Sequence, residues 1–131
     1  MKKIGILNQP ISAVIAGLGH TDMLVIADAG LPIPPESVRI DLALVQGVPG
    51  FLQTVEAVLR EMQVDKVILA TETGDNSPHI AEALKALLPG VPFEWISHAQ
   101  LKEVSHEAVA VIRTGEFTPY ANVILVSGVT F

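Results

Sequence analysis

Apolar residues recur with two different spacings along the chain, and these spacings predict where helices and strands lie. A first helix, ending at Gly19, is predicted by four residues at positions i, i+3, i+4 and i+7: Ile11, Val14, Ile15 and Leu18. Continuous apolar runs at residues 23–27 and 66–71 are typical of buried strands. Shorter apolar segments predict four further strands, at residues 38–42, 93–96, 108–112 and 122–126.

Three more helices are predicted between these strands. The second helix is indicated by an amphipathic stripe of Phe51, Val55, Val58, Leu59 and Met62. A third is predicted to begin at Ser77 and Pro78, because a capping hydroxyl followed by proline favours a helix start. A short fourth helix covers about residues 99–104. Because strands alternate with helices, we expect a single α/β domain over residues 1–131, with a mostly parallel sheet and helices on both faces.

Composition narrows the functional classes. The chain has 131 residues, of which 50% are apolar and 17% are charged, so it can build one core. Its net charge of −6, without clustered basic residues, disfavours binding to nucleic acid. The absence of cysteine excludes disulfides and thiolate chemistry. No apolar run reaches the roughly 20 residues that span a bilayer, and no secretory signal is recognisable. We therefore expect a soluble, cytoplasmic protein without a nucleic-acid or membrane partner.

Polar residues at the ends of the predicted strands are the first candidates for a functional site. In open α/β sheets, ligands bind beyond the carboxyl ends of the strands. The predicted strands end at five such residues: Asp28, Glu72, His98, Arg113 and Thr114. Two carboxylates, a histidine and an arginine at one edge predict a polar pocket. His20 precedes the first strand, and it lies near this pocket only if its connecting loop passes the same edge.

These candidates also have purely structural interpretations. Asp28 can close an Asx-turn, and His20 can complement the dipole of the helix before it. His98 can belong to the N-cap region of the helix that follows it. Tyr120 and Asn122 can form part of a turn at the entrance of the last strand.

The remaining polar residues have weaker claims to a site. Glu72 can be a solvated loop acid with Arg113 as its ion-pair partner, and His79 and His106 are expected on solvated surface. The chain lacks the glycine motifs that bind nucleotide phosphates and the Gly-x-Ser-x-Gly motif of α/β-hydrolases. Its four histidines also lack the spacing of a metal-binding pair. The function class that remains is acid–base chemistry, carried out by histidine and carboxylates on a small polar molecule.

Four longer motifs point to a family. The segments LGHTD (18–22), VIADAGLPIP (25–34), VIRTGE (111–116) and PYAN (119–122) resemble the sugar-mutarotase family, which contains ribose pyranases and fucose mutarotases. The resemblance extends from Leu7 to Phe131, so it covers nearly the whole chain. The DAGLP and EFTPYAN forms are more similar to the ribose branch than to the fucose branch.

The resemblance implies an activity, a site and an assembly. It implies interconversion of the pyranose and furanose forms of free D-ribose, without a metal or organic cofactor. The catalytic histidine of the family falls on His20. Its substrate-binding positions fall on Asp28, His98, Tyr120, Ala121 and Asn122, with Lys102 as a further contact. Members of the family form ring-shaped homo-oligomers that stack as decamers, so we expect a homodecamer.

Two alternative functions stay open. One is a mutarotase that interchanges the anomers of fucose or another sugar, and the other is a non-catalytic sugar-binding accessory protein. The apolar closing segment, residues 123–131, also predicts a strand buried at a subunit interface, since a monomer more often ends on polar residues. Such a strand would bring Tyr120 and Asn122 near the His20 of a neighbour.

Overall fold

The computed structural model describes residues 1–131 as six strands and five helices. Their order along the chain is α1 (Gln9–Gly17), β1 (Met23–Ala27), β2 (Arg39–Asp41), α2 (Phe51–Leu59), β3 (Val64–Ala70), α3 (Thr71–Asn76), α4 (Pro78–Leu87), β4 (Phe93–Ile96), α5 (His98–Ser105), β5 (Ala110–Arg113) and β6 (Val123–Ser127).

All six strands join one sheet in the order β2-β5-β1-β6-β3-β4. The pairs β2–β5, β5–β1 and β3–β4 are parallel. Strand β6 lies between β1 and β3 and is antiparallel to both. Five strands therefore end at one edge of the sheet, which we call the carboxyl edge, and only β6 begins there. The expected α/β fold with a mostly parallel sheet is confirmed.

Helices cover both faces of the sheet, as predicted. One face packs against α1, α2 and α4, where Phe51 and Leu84 are fully buried. The other face packs against α5 through Leu101 and against the loop after β1 through Leu31. Full burial of a side chain such as Phe51 stabilises the fold by about 1.5–3 kcal/mol. The apolar layers on the two faces therefore hold the sheet, and the residues at its edges, in one position.

Most element boundaries agree with the sequence pattern. Strands β1 and β4 begin and end where they were predicted, and the other strands begin and end within two residues of the prediction. Helix α3 was not predicted, because its sequence TETGDN has no apolar stripe. None of the helices is long and apolar enough to span a bilayer.

Two expectations about particular segments are wrong. The hydroxyl of Ser77 makes no capping hydrogen bond to α4; it donates instead to the carbonyl of Pro119 at 2.7 Å. The closing segment does not supply an interface strand. Strand β6 is paired on both sides within the sheet, and Val123, Ile124 and Leu125 are fully buried inside one subunit.

Candidate functional site

A polar pocket of about 260 Å³ opens at the carboxyl edge of the sheet. Asp28 reaches it from the end of β1, His98 from the first turn of α5, and Tyr120 from the turn that leads into β6. The rest of the wall is Gly30, Leu31, Pro32 and Pro119. Ligand sites for drug-sized molecules measure about 300–1,000 Å³, so this pocket suits a smaller, polar molecule.

Asp28 and Asn122 form a reciprocal pair beneath the pocket. The backbone N–H of Asp28 donates to Asn122 Oδ1 at 2.9 Å, and Asn122 Nδ2 donates to Asp28 Oδ2 at 3.0 Å. Asp28 Oδ1 also accepts the N–H of Gly30 at 2.9 Å, which is the Asx-turn considered above. Asn122 is fully buried, whereas Asp28 is half-buried and lines the pocket. Asn122 therefore fixes the position of the Asp28 carboxylate, and Asp28 exposes this carboxylate to the pocket.

The turn that carries Tyr120 has a strained backbone held by two buried hydroxyls. Tyr120 has a φ of 60°, in the left-handed region that non-glycine residues rarely adopt. Thr73 Oγ1 donates to the carbonyl of Tyr120, and Ser77 Oγ donates to that of Pro119, both at 2.7 Å. Both hydroxyl residues are almost fully buried. Helix α3 and the start of α4 thus fix the turn that builds this wall.

His98 is oriented from both sides. Its backbone N–H donates to Glu72 Oε2 at 2.7 Å, and its ring meets the Tyr120 ring edge-on with the centroids 5.0 Å apart. Its Nδ1 atom is buried without a hydrogen-bond partner. An unpaired buried N–H is rarer than an unpaired acceptor, which favours the neutral tautomer with its proton on Nε2.

The two charged candidates Glu72 and Arg113 do not pair with each other, contrary to one interpretation of the sequence. The Thr71 hydroxyl and the N–H of His98 bind the Glu72 carboxylate and lower its pKa. Arg113 binds both carboxylate oxygens of Asp41 at 3.1 Å. Arg113 also lines an adjoining cavity of about 410 Å³, to which Asp28 contributes as well. Glu72 is therefore a support for His98 rather than a free loop acid.

Ala121 and Lys102, two further positions from the family resemblance, lie outside the pocket wall. The Ala121 side chain is fully buried in the apolar core. Lys102 lies in the last turn of α5, where its carbonyl accepts the hydroxyl of Ser105 at 2.6 Å.

His20 lies at the opposite edge of the sheet. It precedes β1, and the N–H of the next residue, Thr21, donates to the carbonyl of Ser127 at the end of β6. The five residues of β6 separate Ser127 from the pocket by about 17 Å at the usual rise of a strand. Hence the loop of His20 does not pass the carboxyl edge, and His20 cannot reach the pocket of its own subunit.

His20 has a setting of its own. Its side chain is 57% exposed, and Nε2 lies 3.2 Å from Asp65 Oδ2. It borders a cavity of about 510 Å³ lined by the end of α1 and by the last five residues of the chain. His79 and His106 are exposed, as expected, and line neither cavity.

Comparison with known proteins assigns the family. The model of the RbsD / FucU transport protein family matches residues 1–130. The chain belongs to this family. Among its curated relatives, a D-ribose pyranase of Chloroflexus aggregans is 61% identical over the full length of both chains. A D-ribose pyranase of Symbiobacterium thermophilum is 56% identical, again over the full length of both.

Solved structures of the RbsD / FucU family share the fold. The structure of Bacillus subtilis RbsD complexed with D-ribose superposes with a TM-score of 0.96 at 49% identity, and the match covers the full length of both chains. A fucose mutarotase from Streptococcus pneumoniae in complex with L-fucose superposes with a TM-score of 0.82 over the full length of both chains. At 24% identity, this second similarity bears on the fold alone.

Sequence reasoning missed how the site is supported. Thr73 was not a candidate at all, and the sequence named Ser77 and Glu72 without their partners. All three act through backbone groups far along the chain, which no local spacing reveals. Asp65 carries no motif either. The one available signal was the polar sequence of 71–77 directly after a buried strand, since such a segment at a carboxyl edge is suited to binding.

Proposed function

We propose that this protein is a D-ribose pyranase, which interconverts the pyranose and furanose forms of free D-ribose. The observation that carries the proposal is the pocket at the carboxyl edge, where a carboxylate, an imidazole and a phenol surround a space of monosaccharide size. The full-length relatives named D-ribose pyranase and the similarity to a structure complexed with D-ribose support ribose as the substrate.

The proposed roles follow from the hydrogen bonds that each side chain can still make to a ligand. Asp28 accepts sugar hydroxyls, because carboxylates make strong hydrogen bonds. His98 donates from Nε2, and Tyr120 offers its ring and its hydroxyl. Asn122 acts by holding Asp28, and Ala121 contributes through its main chain, since its side chain is in the core.

His20 is the proposed catalytic residue, and a neighbouring subunit supplies it. His20 and the pocket lie at opposite edges of one sheet, so a complete site needs two copies in head-to-tail contact. Contacts of this kind close into rings when the rotation allows. Exposed aromatic residues at both edges favour such a contact: Phe117 is 61% exposed and lines the cavity that adjoins the pocket, and Phe131 is fully exposed and lines the cavity beside His20. The ring-based decamer and the cytoplasmic location are part of this proposal.

The chemistry is that of a hemiacetal. Opening removes a proton from the anomeric hydroxyl, breaks the bond between the anomeric carbon and the ring oxygen, and delivers a proton to that oxygen. Closure by the hydroxyl on carbon 4 then forms the furanose, as that hydroxyl loses a proton and the aldehyde oxygen gains one. Histidine exchanges protons near neutral pH and can serve both steps. General acid–base catalysis of this kind accelerates a reaction about 10²–10⁴-fold.

NMR saturation transfer on D-ribose and on L-fucose tests the proposal. We expect the protein to accelerate exchange between the pyranose and furanose signals of ribose. His20→Ala should abolish this acceleration while ribose still binds, because the loss affects the transition state more than the ground state. His79→Ala and His106→Ala are matched controls and should exchange normally. Ribose binding without any acceleration would establish a binding protein instead, and exchange confined to fucose anomers would establish a fucose mutarotase.

Mixed assemblies test the shared site. His20→Ala and Asn122→Ala chains should each be inactive alone. When the two are co-assembled in equal amounts, about a quarter of the sites combine an intact pocket with an intact His20, so exchange should partly return. Verified mixed assemblies without recovery would contradict a site shared between subunits.

A further inference from the structure

Asp65 is the carboxylate in contact with His20, and nothing in the proposed mechanism has used it so far. Its Oδ2 atom lies 3.2 Å from Nε2 of His20, 45 residues earlier in the chain. Asp65 is 44% exposed, and no lysine or arginine pairs with it. Exposed ion pairs contribute little to the stability of the fold, so stability does not explain why these two side chains are in contact.

The backbone of β3 is shaped so that Asp65 points at His20. The pairing of β3 with β6 passes from Val64–Ser127 to Lys66–Val126, so Asp65 is an extra residue at a β-bulge. Bulges re-aim a side chain and are frequent beside active sites. The strand is regular from Lys66 onward, so the irregularity is confined to the residue that contacts the histidine.

Gly128 leaves room for this carboxylate. A Cβ atom at Gly128 would overlap with Oδ1 of Asp65, and Gly128 donates its N–H to the carbonyl of Gln63 at 3.0 Å. The backbone of residue 128 is therefore fixed beside Asp65, and only a residue without a side chain lets the carboxylate lie there. The bulge and the glycine lie side by side in the β3–β6 ladder, and both are compatible with this side-chain position.

We propose that Asp65 is the positioning residue of His20. The inference rests on the proposed function, in which His20 moves the proton. Asp65 accepts the Nε2–H of His20, which fixes the ring plane and leaves Nδ1 as the nitrogen that faces the sugar in the neighbouring pocket. When Nδ1 takes the proton of the anomeric hydroxyl, the ring becomes an imidazolium, and the carboxylate stabilises that charge.

Three variants test the proposal by saturation transfer on D-ribose, with ribose affinity measured in parallel by calorimetry. Asp65→Ala should lower the maximal exchange rate about 10–100-fold, less than the roughly 10²–10⁴-fold that the histidine itself contributes, and should leave the ribose affinity unchanged. Asp65→Asn keeps an oxygen that can accept the Nε2–H, so it should retain more activity than Asp65→Ala. Glu94→Ala removes a similarly exposed carboxylate from its ion pair with Lys66 and should exchange normally.

Gly128→Ala supplies a second route to the same defect. Its new methyl group displaces the Asp65 carboxylate, so this variant should also lose exchange activity at unchanged ribose affinity. In the Asp65→Ala background, the same change should cause little further loss, because the two residues act through one contact. Fully additive losses would overturn the assignment.

Mixed assemblies separate this proposal from a general loss of structure. Asp65→Ala chains should recover exchange when co-assembled with Asn122→Ala chains and should fail to recover with His20→Ala chains, because Asp65 belongs to the same half-site as His20. An Asp65→Ala protein with full exchange, alongside an inactive His20→Ala protein, would overturn the role of Asp65 alone. An active His20→Ala protein would instead contradict the proposed function.

Discussion

Removal of the two hydroxyls beneath the Tyr120 turn should weaken ribose binding without touching the pocket wall. The double variant Thr73→Val with Ser77→Ala deletes the bonds to the carbonyls of Tyr120 and Pro119, both 2.7 Å long, and leaves the rest of each site nearly unchanged in shape. Each such bond stabilises the native state by about 0.5–1.5 kcal/mol, so the pair contributes about 2 kcal/mol.

That amount is comparable with the strain that the two bonds oppose. A non-glycine residue in the left-handed region, such as Tyr120 at a φ of 60°, carries strain of about 1–3 kcal/mol. A shift of 2 kcal/mol changes the equilibrium of the turn by roughly 30-fold. Because the apparent affinity falls with the fraction of molecules in the competent conformation, we expect the Kd for D-ribose to rise about tenfold.

Calorimetric titration with D-ribose and thermal unfolding measure the two effects. The matched control is Thr54→Val with Ser105→Ala, which also removes two buried hydroxyls that donate to backbone carbonyls, at 2.9 and 2.6 Å. Both double variants should lose similar stability, and only the first should lose affinity. Equal affinity in the two proteins would refute the idea that the hydroxyls hold the turn for the ligand.

Two further predictions concern the carboxylates around the pocket. Asp28→Asn puts one amide opposite the Nδ2 group of Asn122 and should cost about 1–3 kcal/mol of stability along with ribose affinity. The exchanged pair, Asp28→Asn with Asn122→Asp, restores the match of donor and acceptor but moves the carboxylate to a fully buried position, so it should recover part of the lost melting temperature. A double variant no more stable than the single one would contradict the pairing. For Glu116, burial raises the pKa, but the N–H of Phe51 and the hydroxyl and N–H of Thr118 outweigh it and lower the pKa below its ordinary value of 4.5. The unfolded chain then binds more protons below pH 4.5, so the stability from Glu116 is present above that pH and is lost as the pH falls through the folded pKa. In urea titrations, Glu116→Gln should be less stable than the parent at about pH 6 and should approach it at about pH 3; an equal difference at both values would contradict this origin.

The fold could be predicted from the sequence wherever burial leaves a pattern. The first and last residues of β1 and β4 could be predicted without error from their apolar runs, because polar or turn-forming residues flank both strands. Helix α3 escaped prediction since it has no apolar stripe and is anchored by Thr73, its one fully buried residue. The antiparallel direction of β6 also leaves no local signal, because a buried strand reads the same in either direction.

The site could be predicted only in part. Asp28 and His98 followed from the rule about strand ends, which holds for parallel strands. Tyr120 escaped that rule because it precedes the one antiparallel strand, and only the family resemblance pointed to it. Ser77 looked like a helix cap, but its partner lies 42 residues away, a distance that no local pattern can cover. The pairing of Arg113 with Asp41 could not be predicted for the same reason, since the two residues lie 72 positions apart.

The reversed strand β6 has a consequence for how the protein can move. It joins the turn at the pocket to the backbone beside His20 through five consecutive buried residues, and it is hydrogen-bonded on both sides. Such a strand has no hinge, so under the proposed assembly it connects the two half-sites of each subunit rigidly. In the proposed assembly, sugar entry and release then depend on the relative motion of neighbouring subunits rather than on a lid within one of them. A crosslink between neighbours would slow turnover, while stiffening any single subunit would leave it unchanged.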